Sequence, residues 1–260
     1  MPSYALITGA SSGLGLAMAE ALARRGRHLL LVARHRDPLE AVAGELTQRF
    51  GVEVLFRACD LGEPLRLSGF LLELEESDRR IDLLVNCAGV RSYGHFLAQE
   101  WADEQDLIEL NVLALTRLCH ALGNRMAVHG GGQILNVASL AAFQPGPWMA
   151  TYAASKAYVL HFSEALREEL KQTGIRVSVL CPGPVTSPLR WVERLRDGRR
   201  CLSPEQVALY TVRALARNRA VIIPGQGNRW LARGCRFASR WLARKVAGMI
   251  NKRYRPRLPQ

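Results

Sequence analysis

The chain has 260 residues, 48% of them hydrophobic and 22% charged, which supplies apolar material for one large core and excludes a disordered polymer. No apolar run reaches the roughly eighteen residues of a spanning helix, and six scattered cysteines and six histidines show no ligand spacing, so reduced structural thiols and metal-free chemistry are expected. Net charge is +12, but residues 206–260 hold thirteen Lys/Arg and no Asp/Glu, which leaves residues 1–205 at −1.

Residues 1–4 place no basic region ahead of the first apolar run, so the expectation is a cytoplasmic protein without a secretory signal. A strand over 4–8 runs into Gly9, Ser11, Ser12, Gly13, Leu14 and Gly15, and a helix over 13–25 follows. Glycines there allow a tight turn and a close approach to a pyrophosphate, met by the amides of the helix start. The spacing is Gly-xxx-Gly-x-Gly, and for the motif alone a turn without a ligand is the simpler reading. Strand 28–33 ends at Arg34, where an acidic residue would favour NAD; arginine can grip a 2′-phosphate, so NADP(H) is predicted over NAD(H). The alternative is that Arg34 and Arg36 are solvated surface charges.

Helix 37–50, strand 53–58 and helix 64–78 come next, with Asp60 and Leu61 between the last two; Asp60 by itself reads as a helix cap. Strand 82–86 leads into Asn86-Cys87-Ala88-Gly89, and a long helix over 99–128 contains Asn111. Strand 132–138 ends at Ser139, and helix 150–173 carries Tyr152 and Lys156 four residues apart on one face. A nearby ammonium favours phenolate and lowers a tyrosine pKa toward working pH, as a general acid for a carbonyl oxygen requires. Strand 176–181 runs into Pro182, Gly183, Val185 and Thr186; helix 203–217 begins on Ser203-Pro204, and a last strand is predicted at 220–223. Alternation of strand and helix predicts an α/β fold, a Rossmann-type doubly wound parallel sheet of about seven strands. Such sheets bind ligands beyond the carboxyl ends of their strands, where Gly9, Arg34, Asp60, Asn86, Ser139 and Pro182 all fall.

Thr8, Gly9, Gly13 and Gly15, with Asn86-Cys87-Ala88-Gly89, Asn111, Ser139, Tyr152, Lys156 and Pro182-Gly183, resemble the motif set of the single-domain short-chain dehydrogenase/reductase family over residues 4–225. Cysteine replaces the second asparagine of that family's NNAG element. The resemblance implies a catalytic Asn111, Ser139, Tyr152 and Lys156. Tyr152 is the general acid/base, Ser139 the donor to the developing oxyanion, and Lys156 lowers the Tyr152 pKa and bonds the nicotinamide ribose. Asn111 supports a proton path to the lysine. It also implies that Asp60-Leu61, Asn86, Ala88 and Gly89 border the cofactor, that Val185 and Thr186 touch its carboxamide, and that 187–202, with Trp191, Val192 and Leu195, forms a substrate lid. Taken alone, Ser139 could cap a turn and Asn111 could face solvent.

The activity implied is interconversion of an apolar ketone or aldehyde and its alcohol; the competing reading is a non-catalytic nucleotide-binding sensor or scaffold of the same fold. Tyr93, Phe143 and Trp148 suggest a bulky apolar pocket, although core packing explains such aromatics almost as well. A homodimer or homotetramer through helices 99–128 and 150–173 is implied. Residues 1–225 are expected to form the catalytic domain, and residues 226–260 a basic C-terminal helical extension. There Arg229, Arg233, Arg236, Arg240 and Arg244 share one face and Trp230, Phe237, Trp241, Val246 and Met249 another. This stripe could pack on the body, lie peripherally on an anionic inner membrane surface, or dock an acidic carrier protein; no nucleic-acid module is present.

Overall fold

The computed structural model describes residues 2–186, 201–237 and 239–252. Seven strands form one parallel sheet: β1 (Ser3–Thr8), β2 (His28–Ala33), β3 (Val54–Ala58), β4 (Arg80–Asn86), β5 (Gly132–Val137), β6 (Ile175–Leu180) and β7 (Val221–Ile222), in the order β3-β2-β1-β4-β5-β6-β7. The chain reverses direction across the sheet between β1 and β4, which opens a crevice at their carboxyl ends.

Both sheet faces are covered, so the central strands carry apolar residues toward each side. In β1, Ala5 and Ile7 join a core with α1 (Gly13–Ala23), α2 (Arg36–Phe50) and α7 (Pro204–Ala216), whereas Tyr4 and Leu6 join a core on the other face. That second core is completed by α3 (Pro64–Glu76), α5 (Leu115–Val128) and α6 (Ala150–Glu169). The start of α7 matches expectation: Ser203 and Gln206 form a reciprocal capping box with Pro204 at the first helical position.

Two helices differ from the sequence reading. The long helix expected over 99–128 is α4 (Trp101–Ile108), a π-helical stretch Glu109–Ala114, and α5, and Asn111 sits in the widened turn. The single basic C-terminal helix is instead two, α8 (Gln226–Phe237) and α9 (Arg240–Lys252). The break has a local cause: Ser239 Oγ accepts the amide of Leu242 at 3.3 Å, so serine caps a new helix in the middle of the expected one.

Candidate active site

The crevice is built where β1 and β4 end side by side. Thr8 is buried, and its hydroxyl accepts the amides of Cys87 and Ala88 at 3.0 and 2.9 Å, tying the glycine turn to the segment after β4. Gly9 adopts φ +67, and a Cβ there would stand 2.9 Å from the Ala88 Cα; one on Gly15 would overlap the Gly9 carbonyl. Only glycine fits either position. Ser12 and Gly13 are exposed at the start of α1, and the first turn of that helix carries no acidic residue.

The reacting groups meet beyond β4 and β5. Ser139 follows β5, caps the 3-10 turn 140–143 by accepting the Ala141 amide at 3.1 Å, and faces the Tyr152 phenol, whose pKa it lowers. Both of its readings hold together: it is a cap and it faces the tyrosine. Lys156 is 6% exposed, donates to the Val137 carbonyl at 3.0 Å, and lies 5.9 Å from the centre of the Tyr152 ring. A side chain on Gly89 would come 2.9 Å from Asn111 Oδ1 and 3.3 Å from Lys156 Nζ, so these two groups share one corner. Asn111 is 1% exposed, contrary to a solvent-facing role. It grips Val90 at both backbone atoms, accepting its amide at 3.0 Å and donating to its carbonyl at 2.9 Å, and donates to Ser155 Oγ at 3.2 Å.

Electrostatics bring a further cation to the phenol beside Lys156. Burial pushes the Tyr152 pKa up, and it is the Ser139 hydrogen bond and the positive charge of Arg91 that pull it back. Burial lowers Lys156 to about 8, and its titratable neighbours are the Cys87 and Cys181 thiols. Arg91 is thus a cation that lowers the phenol's pKa, and burial lowers its own. Sequence offered no signal for it, because only the path of the loop after β4 brings it to α6.

The remaining predicted residues divide. Arg34 is exposed at the end of β2 and, among the described residues, makes no ion pair, whereas Arg36 pairs with Glu40 at 3.3 Å and stacks on Phe56. Asp60 Oδ1 accepts the Gly62 amide at 3.0 Å; it shapes a turn, and the cap of α3 is Glu63. Leu61 is 4% exposed in the core, so its side chain offers a ligand little. Asn86 also turns inward, donating to Asn136 Oδ1 at 2.9 Å and to Cys119 Sγ at 3.3 Å; its side chain belongs to a buried network that Asn136 extends to Ser163. Pro182 is buried and its carbonyl accepts the Leu140 amide at 3.0 Å. Gly183 faces Asn228 of α8, Val185 packs on the core, and the Thr186 amide bonds the Leu202 carbonyl at 3.1 Å. Of the lid expected over 187–202, residues 187–200, with Trp191, Val192 and Leu195, lie outside the described residues.

The mouth of the site is walled by the tail. Tyr93 donates its hydroxyl to the Asn251 carbonyl, Asn251 donates its side-chain amide to the Pro147 carbonyl at 2.9 Å, and the Cys235 thiol donates to Gln144 at 3.1 Å. Phe143 packs on the core, whereas Trp148, held at φ 72 and edge-on to His95, lines a cavity of about 30 Å³. Glu104 lines the same cavity, and its Oε2 is buried without a hydrogen-bond partner among the described residues.

Comparison with known proteins agrees with this geometry. The family profile described as short chain dehydrogenase matches residues 3–197. The chain is 30% identical over 224 residues to the ketoacyl reductase HetN of a Nostoc species, covering 85% of this chain and 78% of that protein. Among solved structures, a short-chain dehydrogenase from Sphingobium yanoikuyae in complex with NADPH is 33% identical, with a TM-score of 0.80 over 100% of this chain and 98% of that one. The bulky-bulky ketone specific alcohol dehydrogenase from Comamonas testosteroni is 30% identical, with a TM-score of 0.78 over 100% and 97%.

Proposed function

The chain belongs to the short-chain dehydrogenase family, and on that premise we propose that it is an NADP(H)-dependent oxidoreductase interconverting a bulky apolar ketone and its alcohol. The observation that carries this reading is the convergence of Ser139, Tyr152 and Lys156 beside the Gly9–Ala88 contact at the carboxyl edge of the sheet. The residues present suit a dinucleotide: two positions that admit no side chain, an α1 start free of acid, and Arg34 exposed at the end of β2 for a 2′-phosphate. When bound, that cofactor supplies or accepts the hydride.

The protein's own groups handle the proton. Ser139 donates a hydrogen bond to the substrate oxygen as charge develops on it, and Tyr152 gives that oxygen its proton, or takes it back in the reverse direction. Arg91 makes the phenolate less costly, Lys156 would hold the nicotinamide ribose of a bound cofactor, and Asn111 holds the loop over Gly89 in register with α6. The names of the ketoacyl reductase and bulky-ketone relatives support an acyl or large ketone substrate.

Exposed apolar side chains on the outer helices support a homodimer or homotetramer: Trp101 of α4 is 70% exposed, and Tyr158 of α6 stacks on Phe162 at 5.5 Å. NADPH oxidation over a panel of acyl and bulky aryl ketones, each run beside NADH, tests the reading. Tight NADPH binding without turnover on any ketone would favour a non-catalytic scaffold.

A further inference from the structure

Helices α8 and α9 touch the body through small and polar side chains and turn their large apolar ones outward. On α8, Ala232 is 3% exposed, whereas Trp230 and Phe237, two turns apart on the far side, are 70% and 91% exposed. On α9, Ala243 and Ala247 are buried, while Leu242, Val246 and Met249 form an outward stripe with Trp241 beside it. A surface helix ordinarily does the reverse, and an exposed apolar arc of this size marks an interaction face. Its rim is basic: Arg233, Arg240, Arg244, Lys245 and Lys252 are exposed, Arg233 lies over the Trp230 ring at 5.6 Å, and no acidic residue occurs from 206 onward.

We propose that the outer face of these two helices docks on an anionic lipid surface, its aromatic and aliphatic side chains entering the headgroup boundary and its Lys/Arg meeting lipid phosphates. Charge decides between occupants. A two-fold contact with a second copy would set the patch against itself, basic rim to basic rim, with no carboxylate on the tail to neutralise it. An acidic soluble protein would answer the charge alone. Tryptophans interleaved with arginines on helices of low overall hydrophobicity are what a bilayer interface accommodates. Because the inner face of the same helices is fastened to Tyr93, Gln144 and Pro147, docking would bring the mouth of the site to the lipid, where an apolar ketone partitions. That last step rests on the proposed activity; the docking does not.

The full chain is mixed with vesicles of phosphatidylcholine alone or with phosphatidylglycerol, at low and high salt, and sedimented. Expected are pelleting with the anionic vesicles only, relief of it by salt, and a blue shift of tryptophan fluorescence. The triple variant W230A/F237A/W241A and the triple variant R233Q/R244Q/K245Q should each weaken partition by about tenfold or more. Both should oxidise NADPH on a water-soluble ketone as the parent does. Absence of pelleting at low salt overturns the proposal. So does loss of binding in the charge variant alone with no fluorescence shift, which would mean polycation adsorption. Capture by an acidic carrier protein but not by vesicles, or a fall in oligomer size in the apolar variant, would likewise assign the face to another occupant.

Discussion

The ammonium of Lys156 donates to the carbonyl oxygen of Val137, the last residue of β5, at 3.0 Å, and burial around that contact holds its pKa down at about 8 against a usual 10.5. Between those two values the unfolded chain binds more protons than the folded one, so stability rises with pH across that window and the burial penalty is fully felt below it. Lys156→Met should therefore be about 2–3 kcal/mol more stable than the parent at pH 7 in urea unfolding. The advantage should vanish by about pH 10.5, and ketone reduction should be lost. Equal stabilities at every pH would mean that the amine is not held as a buried charge.

Tyr152→Phe keeps the ring but removes the hydroxyl toward which Ser139 donates. Turnover should drop by about a thousandfold, the usual scale for a lost general acid. NADPH affinity, read by fluorescence titration, should stay within about twofold. Near-parental kcat would exclude Tyr152 from the chemistry.

Arg91 pulls the Tyr152 pKa down against burial, so Arg91→Gln should let it rise further. Alcohol oxidation needs the phenolate, and its pH profile should move to higher pH, with Arg91→Lys restoring most of the parental curve. A kcat loss without any displacement of the profile would point to a purely steric role.

Arg34→Glu places an acid where the exposed guanidinium now ends β2. The kcat/KM for NADPH should fall roughly thirtyfold as charge-assisted bonds to a 2′-phosphate are lost, and NADH should become the better cofactor. An unchanged NADPH/NADH ratio would return Arg34 to the solvated surface.

Gly15→Ala forces a methyl group into the Gly9 carbonyl. The turn must open, so thermal unfolding should come several degrees earlier, consistent with about 1–3 kcal/mol of overpacking, and NADPH binding should weaken. A variant as stable as the parent would show that the turn is looser than its geometry.

Each of the seven predicted strands lies within two residues of its observed bounds, and the central ones were readable because a parallel strand covered on both faces is a short, largely apolar run. The glycine turn and the Tyr152–Lys156 pair were legible for a similar reason, since their spacings are local, whereas Ser139 was picked out only by the family resemblance. Asn86 was expected to border the crevice, but its side-chain partner Asn136 lies fifty residues away and draws it inward. The tail was read as one helix because periodicity carries no mark of a serine acting as an internal cap at 239. Nor does it say which face of an amphipathic helix the body accepts; Ala232, Ala243 and Ala247 allow close approach, and that turned the large apolar side chains outward.

By itself the sequence determined the alternation of strands and helices, the glycine turn at Gly9–Gly15, and the one-turn separation of phenol from amine. Tertiary packing decided that Arg91 joins Lys156 near the phenol and which tail face meets solvent. Both depend on distances between side chains remote along the chain, set by how the loop after β4 and the last two helices close over the carboxyl edge of the sheet.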